Sequence, residues 1–128
     1  MKLTSTTPRA RYRLKHSEPK EADVLAAVKQ ALTLLEIKGR VIWWARMNTG
    51  SGRLLRGKDN VSQFIQFGFK GCPDILGQLH DGRVLAIEVK RPSGDLKPEQ
   101  ADFLEKASRA GAYAFVARSV DDVWKELG

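Results

Sequence analysis

Cysteine is almost missing from this sequence: Cys72 is the single one among 128 residues. One thiol can close no intrachain disulfide and build no cysteine-based zinc cluster, and this sparing usage suits a reducing compartment. Apolar runs are short, all well below the roughly 20 residues a membrane helix needs, and no secretory hydrophobic segment is present. Neither a repeat nor a linker divides the chain. At this length one domain is expected, burying about two thirds of its unfolded surface around a single core. With 42% hydrophobic and 29% charged residues, the composition is globular. The opening "MKLTSTTPRARYRLK" is rich in Arg, Ser and Thr and poor in acid, loosely like a transit peptide. The blander reading is a flexible basic arm over residues 1–16 ahead of one domain over 17–128.

Acidic residues are the other shortage. Fifteen Asp and Glu face 22 Lys and Arg, a net charge of +7, which attracts polyanions by long-range steering. The bases cluster: Arg9, Arg11, Arg13 and Lys15 in the arm, then Arg46, Arg53, Arg56, Lys58 and Lys70 near the middle, where only Asp59 opposes them. Together with Arg91 these middle residues are the candidate nucleic-acid contacts, against the alternative of ordinary solvated surface.

The elements follow from periodicity. Val24, Val28, Leu32 and Leu35 form the stripe of an amphipathic helix between Ser17 and Lys38, with Ser17 as cap, Pro19 in the first turn and Gly39 as the stop. "VIWWARMN", residues 41–48, reads as a strand that sends Trp43 and Trp44 to opposite faces. The glycine-rich stretch 49–71 reads as a long mobile loop with at most a short strand at 64–67. "PDILGQL" and "RVLAIEVKR" read as an antiparallel pair turned at Asp81-Gly82. A helix over Pro98–Ala110 with Ala101, Phe103, Leu104 and Ala107 inward, the strand "AYAFVAR", and a last helix from Ser119 to Leu127 complete the order. Trp124 and Cys72 read as packing residues, and His16 and His80 lie in the arm and a turn, places that do not suit metal ligands.

Against this frame Asp74, Glu88 and Lys90 stand out, because each interrupts an apolar run. In the strand over 83–91, Leu85, Ile87 and Val89 share one face while Ala86, Glu88 and Lys90 share the other. Asp74 begins the partner strand, fourteen residues before Glu88. An exposed Glu88–Lys90 ion pair would contribute under about 1 kcal/mol and carry no chemistry. The sharper reading is a site: two carboxylates that repel until a hard divalent cation such as Mg²⁺ or Mn²⁺ lies between them. The Val89 carbonyl would offer a further oxygen, and Lys90 would orient an attacking water, which is the chemistry of phosphodiester hydrolysis. The preceding G-x-P-D, the hairpin and the basic stretch favour this second reading.

The segments "GCPDILG", "LAIEVKRPSGDLKPEQADFL" and "YAFVARSVDDV" together resemble the VRR-NUC branch of the PD-(D/E)XK nuclease superfamily, from about the first helix to Val123. The resemblance implies an α/β, restriction-endonuclease-like fold with a central mixed sheet flanked by helices, in the order α-β-β-β-α-β-α. It implies that Asp74 and Glu88 bind metal, that Lys90 is the motif lysine, and that Gln100 is the helix glutamine beside it. A glutamate of the first helix, Glu21 or else Glu18, would complete the metal site, although both also suit a helix N-terminus as dipole-favoured acids. Stand-alone, phage-type members imply a Mg²⁺- or Mn²⁺-dependent endonuclease for branched DNA such as four-way (Holliday) junctions, in the cytoplasm of a bacterium or phage host. A homodimer is expected because resolving a two-fold junction takes two symmetric nicks and this chain offers one candidate site. The 49–71 stretch and the outward tryptophan of "VIWW" are its interface material, against the alternative of a monomer whose second tryptophan lies under a helix. Other readings are a restriction-type, flap or replication-linked nuclease, or a non-catalytic DNA-binding module.

Overall fold

A computed structural model describes residues 18–47, 50–56 and 61–128, the segments 50–56 and 61–67 through their backbone alone. Helix α1 spans Glu21–Ile37 and buries Val24, Val28, Ala31, Leu32 and Leu35, the expected stripe. It starts later than expected. Lys20 is the N-cap residue, its carbonyl accepting the first helical N–H groups, so Pro19 precedes the helix; Ser17 lies outside the described residues. Lys20 is extended, and Glu18 just ahead of it is tied to a distant turn. Past the last turn, Gly39 takes φ of +80°, the left-handed conformation that releases the chain.

Strand β1 covers Val41–Arg46, β2 Gly50–Arg56, β3 Val61–Phe67, β4 Ile75–Leu79, β5 Val84–Val89 and β6 Tyr113–Ala117, with α2 over Pro98–Arg109 and α3 over Val120–Leu127. The main sheet runs β1-β4-β5-β6. Its first two pairings are antiparallel and β5–β6 is parallel. Parallel neighbours need a crossover, and α2 supplies it. The sheet is thus mixed and flanked by three helices, the expected class. The stretch read as a loop instead contains an antiparallel ribbon, β2–β3, pairing Gly50 with Phe67 through Arg56 with Val61. Glycines at 50 and 52 and the irregular alternation of "VSQFIQF" hid it, since pairing across the ribbon overrides weak local propensity.

One sheet face is dry. Val41, Ile75, Leu79, Leu85, Ile87 and Val89 pack there with the apolar stripe of α1 and with Val123 and Leu127 of α3. Trp124 packs against the same core, and Trp44 does so from β1. A bulge between Val41 and Trp43 shifts the alternation, so Val41 and Trp44 face inward while Ile42 and Trp43 face out, Trp43 being 46% exposed. Edge strand β6 is half-buried rather than fully covered. On the opposite face α2 packs over β5 and β6 with Phe103, Leu104 and Ala107 half-buried; Ala101, expected inward, is exposed because the helix meets the sheet along a narrower line.

Between the ribbon and β4 the chain turns at Gly71, whose φ is +83°, and a Cβ there would fall on the Glu99 carbonyl oxygen at the start of α2. The missing side chain lets the Gly71–Asp74 turn lie against α2. Gly71→Ala therefore combines a left-handed backbone with a clash against main chain, and is expected to destabilise the domain by about 2 kcal/mol or more. Urea unfolding checks this; an unchanged midpoint would contradict the packing described.

Candidate active site

Hairpin register brings the acids together. Across β4 and β5 the partners are Ile75 with Ile87, Leu76 with Ala86, Gly77 with Leu85 and Gln78 with Val84. One more step of that register sets Asp74 opposite Glu88. Asp74 is fixed at both ends: its carbonyl accepts the Met47 N–H at 2.7 Å, and its Oδ2 accepts the Val89 N–H at 2.8 Å. In extended backbone a residue's N–H and C=O leave on the same edge, so the Val89 carbonyl also lies on the Asp74 side. Lys90 is past the strand end and donates its N–H to the Ala117 carbonyl of β6.

Glu88 is only 3% exposed and is the one buried charged residue of the described chain. Its Oε2 accepts from Gln100 Nε2 at 3.0 Å and lies 3.8 Å from Lys90 Nζ. The Gln100 amide has no freedom to flip, because its Oε1 accepts the Lys97 N–H at 2.9 Å. Glu88 Oε1 is buried and accepts no hydrogen bond from any N–H or O–H donor of the ionised site; the facing Asp74 carboxylate can share a bond with Glu88 only once Glu88 carries a proton. Burial, then the facing Asp74 charge, push the Glu88 carboxyl up to about 8; Lys90 pulls the other way, while the Asp74 hydrogen bond and the Glu21 charge add to the rise. At neutral pH the metal-free site therefore favours a proton on Glu88 even with an ammonium beside it, since loss of water outweighs one partly screened cation.

An unpartnered buried carboxylate oxygen facing a second carboxylate is the donor set a hard divalent cation satisfies. Asp74, Glu88 and the Val89 carbonyl thus fit such an ion. Glu21 does not join them: it is exposed, and among the described residues no three acidic, histidine or cysteine side chains converge as a ligand cluster. Only its charge reaches Glu88. Glu18 is engaged elsewhere, its Oε2 accepting from Ser93 N at 3.2 Å and Ser93 Oγ at 2.8 Å, contacts that hold its carboxyl below the usual range. Cys72 is buried beside Asp74, and burial raises its thiol, which suits packing rather than nucleophilic attack. His80 is exposed in the hairpin turn.

Of the expected nucleic-acid contacts, Arg46, Lys70 and Arg91 are exposed. Arg53 and Arg56 lie on β2, where only the backbone is described, and Lys58 lies outside the described residues. Arg118 is a residue the sequence did not mark. Its Nη1 donates to the carbonyls of Arg91 at 3.2 Å and Pro92 at 3.3 Å and to that of Gly94. No local signal reveals this, because the parallel pairing of β5 with β6 is what brings residue 118 beside residue 91.

Two opposed carboxyls on a mixed sheet, with a lysine one residue past the strand and a helix glutamine bonded to the buried acid, define a nuclease of the PD-(D/E)XK type. The chain belongs to the VRR-NUC family, whose domain it matches over residues 20–121. It is accordingly a nuclease with DNA as substrate, of a class that generally uses divalent metals. No curated protein and no solved structure matches the chain.

The raised Glu88 carboxyl has a stability consequence. Between its ordinary value of 4.5 and about 8 the folded state holds a proton that the unfolded chain has released, so stability falls as pH rises through that window and levels above it. Thermal melts of metal-free protein are expected to show this decline. Glu88→Gln, neutral and able to donate to Asp74, should flatten it and be more stable than the parent at pH 8 by about 1–3 kcal/mol. A parent whose stability rises over the same window would remove the basis for the assignment.

Proposed function

We propose that the protein is a Mg²⁺- or Mn²⁺-dependent endonuclease that nicks branched DNA, four-way junctions above all, as a homodimer in the cytoplasm of a bacterium or phage host. The unpartnered Oε1 of buried Glu88, set opposite Asp74, carries the catalytic part of this reading. A structure that only bound DNA would gain nothing from burying acids that repel phosphate. Asp74, Glu88 and the Val89 carbonyl would hold the cation, with the charge of Glu21, which reaches Glu88, adding to the negative field of the site. When bound, a cation there lowers the pKa of a water and offsets charge on the phosphoryl oxygen.

The chain's own groups do the rest. Gln100 holds Glu88 Oε2, which leaves Oε1 aimed into the site. The Lys90 ammonium, 11% exposed in its side chain and 3.8 Å from Glu88 Oε2, would orient a water and stabilise negative charge as it builds on the phosphate. Exposed Arg46, Lys70 and Arg91 can grip backbone phosphates, which positions the duplex without reading bases. Branched DNA and dimer formation rest on two supports. The charge of +7 favours broad backbone contact. On the same sheet face as Glu88, exposed Trp43 is held with its Nε1 donating to Gln78 at 3.1 Å, a rigid aromatic suited to an interface core. A two-fold pair would present two sites to a two-fold junction.

The test is cleavage of labelled four-way junction, flap and linear duplex with Mg²⁺, Mn²⁺ or neither. Cutting is expected with metal and fastest on the junction; tight binding with no cutting in either metal would instead identify a DNA-binding module. Asp74→Asn and Lys90→Ala should each lower cleavage by about two orders of magnitude while binding persists, and normal cutting by Asp74→Asn would refute the site. Light scattering without DNA should give twice the 14.3 kDa chain mass, reduced to one chain by Trp43→Asp; a monomeric parent would overturn the preformed dimer.

A further inference from the structure

The turn over residues 91–94 lies between two parts of the site. Lys90 immediately precedes it, and Gln100 follows it at the start of α2. The turn closes with the Gly94 N–H donating to the Arg91 carbonyl at 2.9 Å, and Pro92 fixes one of its φ angles. From the inner side Arg118 spans it, one guanidinium nitrogen serving the carbonyls of Arg91, Pro92 and Gly94. Arg118 is itself held, since its N–H donates to Asp122 Oδ2 at 2.8 Å at the start of α3. From the outer side Glu18 accepts both the N–H and the hydroxyl of Ser93 and lies 3.9 Å from Arg91 Nε. Glu18 is three residues before Glu21, whose charge acts on Glu88.

The geometry points to Arg118 and Glu18 as positioning residues that together lock this turn and thereby set Lys90, Gln100 and the N-terminus of α1 in one catalytic register. Three carbonyls gathered around one cation repel one another once it is removed, so the turn would open at the residues nearest Lys90. A guanidinium fits this task because it is always charged and offers several donors in a fixed fork. Glu18 works from the solvent side, where its two bonds to Ser93 tie the entry to α1 onto the same turn. Nothing in this role requires either side chain to touch DNA or metal.

The inference rests on the nuclease reading, and the experiment separates the two. Arg118→Ala is expected to slow single-turnover cleavage by about 10-fold to 100-fold, the effect of displacing reacting groups by about 1 Å. Its Kd for junction DNA, measured in Ca²⁺, should stay near that of the parent. Millimolar guanidinium chloride, far below denaturing concentration, should restore part of the lost rate by filling the vacated position, which a general packing defect would not allow. An unchanged rate, or a loss that guanidinium leaves untouched in a folded variant, overturns the assignment. Should Arg118→Ala fail to fold, Glu18→Ala decides from the exposed side: it should slow cleavage several-fold with the half-saturating Mg²⁺ concentration unchanged, and a shifted Mg²⁺ dependence would make Glu18 a ligand and overturn its positioning role. If the parent protein cuts no DNA, the nuclease reading falls instead, and the lock is then read by amide exchange, where the Lys97 N–H held by Gln100 must exchange faster in Arg118→Ala; equal exchange would overturn it.

Discussion

Everything near the catalytic face depends on one unfavourable contact, the facing of Asp74 and Glu88 at the end of a hairpin. Burying a carboxylate costs several kcal/mol unless partners replace its water. Here the replacement is incomplete. Gln100 and Lys90 attend one Glu88 oxygen and leave the other bare. The dry opposite face bears the cost, since α1, α3 and the odd-numbered residues of β5 form a continuous apolar core that holds β5 wherever Glu88 happens to be charged. A cost of this kind at a functional site, carried by packing elsewhere, leaves the site with an unmet demand for positive charge.

The same geometry explains why the site was largely legible in the sequence. Asp74, Glu88 and Lys90 break apolar runs, and two-residue alternation puts Glu88 and Lys90 on one side. The Asp81-Gly82 turn fixes which residues oppose each other. All of that is local, and local rules read it. Gln100 was reached through family resemblance, and the structure supplies its physical role by giving both ends of its amide a partner. What remained hidden is what depends on remote pairing. The β2–β3 ribbon is specified by cross-strand contacts, not by the propensity of a glycine-rich segment. Arg118 lies 27 positions from Arg91 and meets it only because two parallel strands end side by side. Glu18 was the second candidate ligand through the family resemblance, as a glutamate of the first helix, and the structure engages it with Ser93, 75 positions away.

Two tryptophans in adjacent positions show how one irregularity redistributes chemistry. Without the bulge at Ile42, Val41 and Trp43 would share the core face and Trp44 would stand outside. With it, Trp44 fills the core and Trp43 joins the face that carries Glu88. Gly77 makes this possible from the facing strand, where a Cβ would come within 3.1 Å of the Trp44 Cβ. The aromatic left in solvent is thus a product of strand register, and its bond to Gln78 keeps it from collapsing onto the sheet.

The parallel placement of β6 also has a consequence in time. Hairpin contacts are short in sequence and close within microseconds, whereas a parallel strand must wait for its crossover helix to be made and docked. During synthesis the ribosome releases Asp74, Glu88, Lys90 and Gln100 before it releases Arg118. These four residues therefore emerge ahead of the residue whose guanidinium spans the 91–94 turn. The inner partner of that turn is thus the part of the site's surroundings made last, and it comes into place only when β6 docks beside β5.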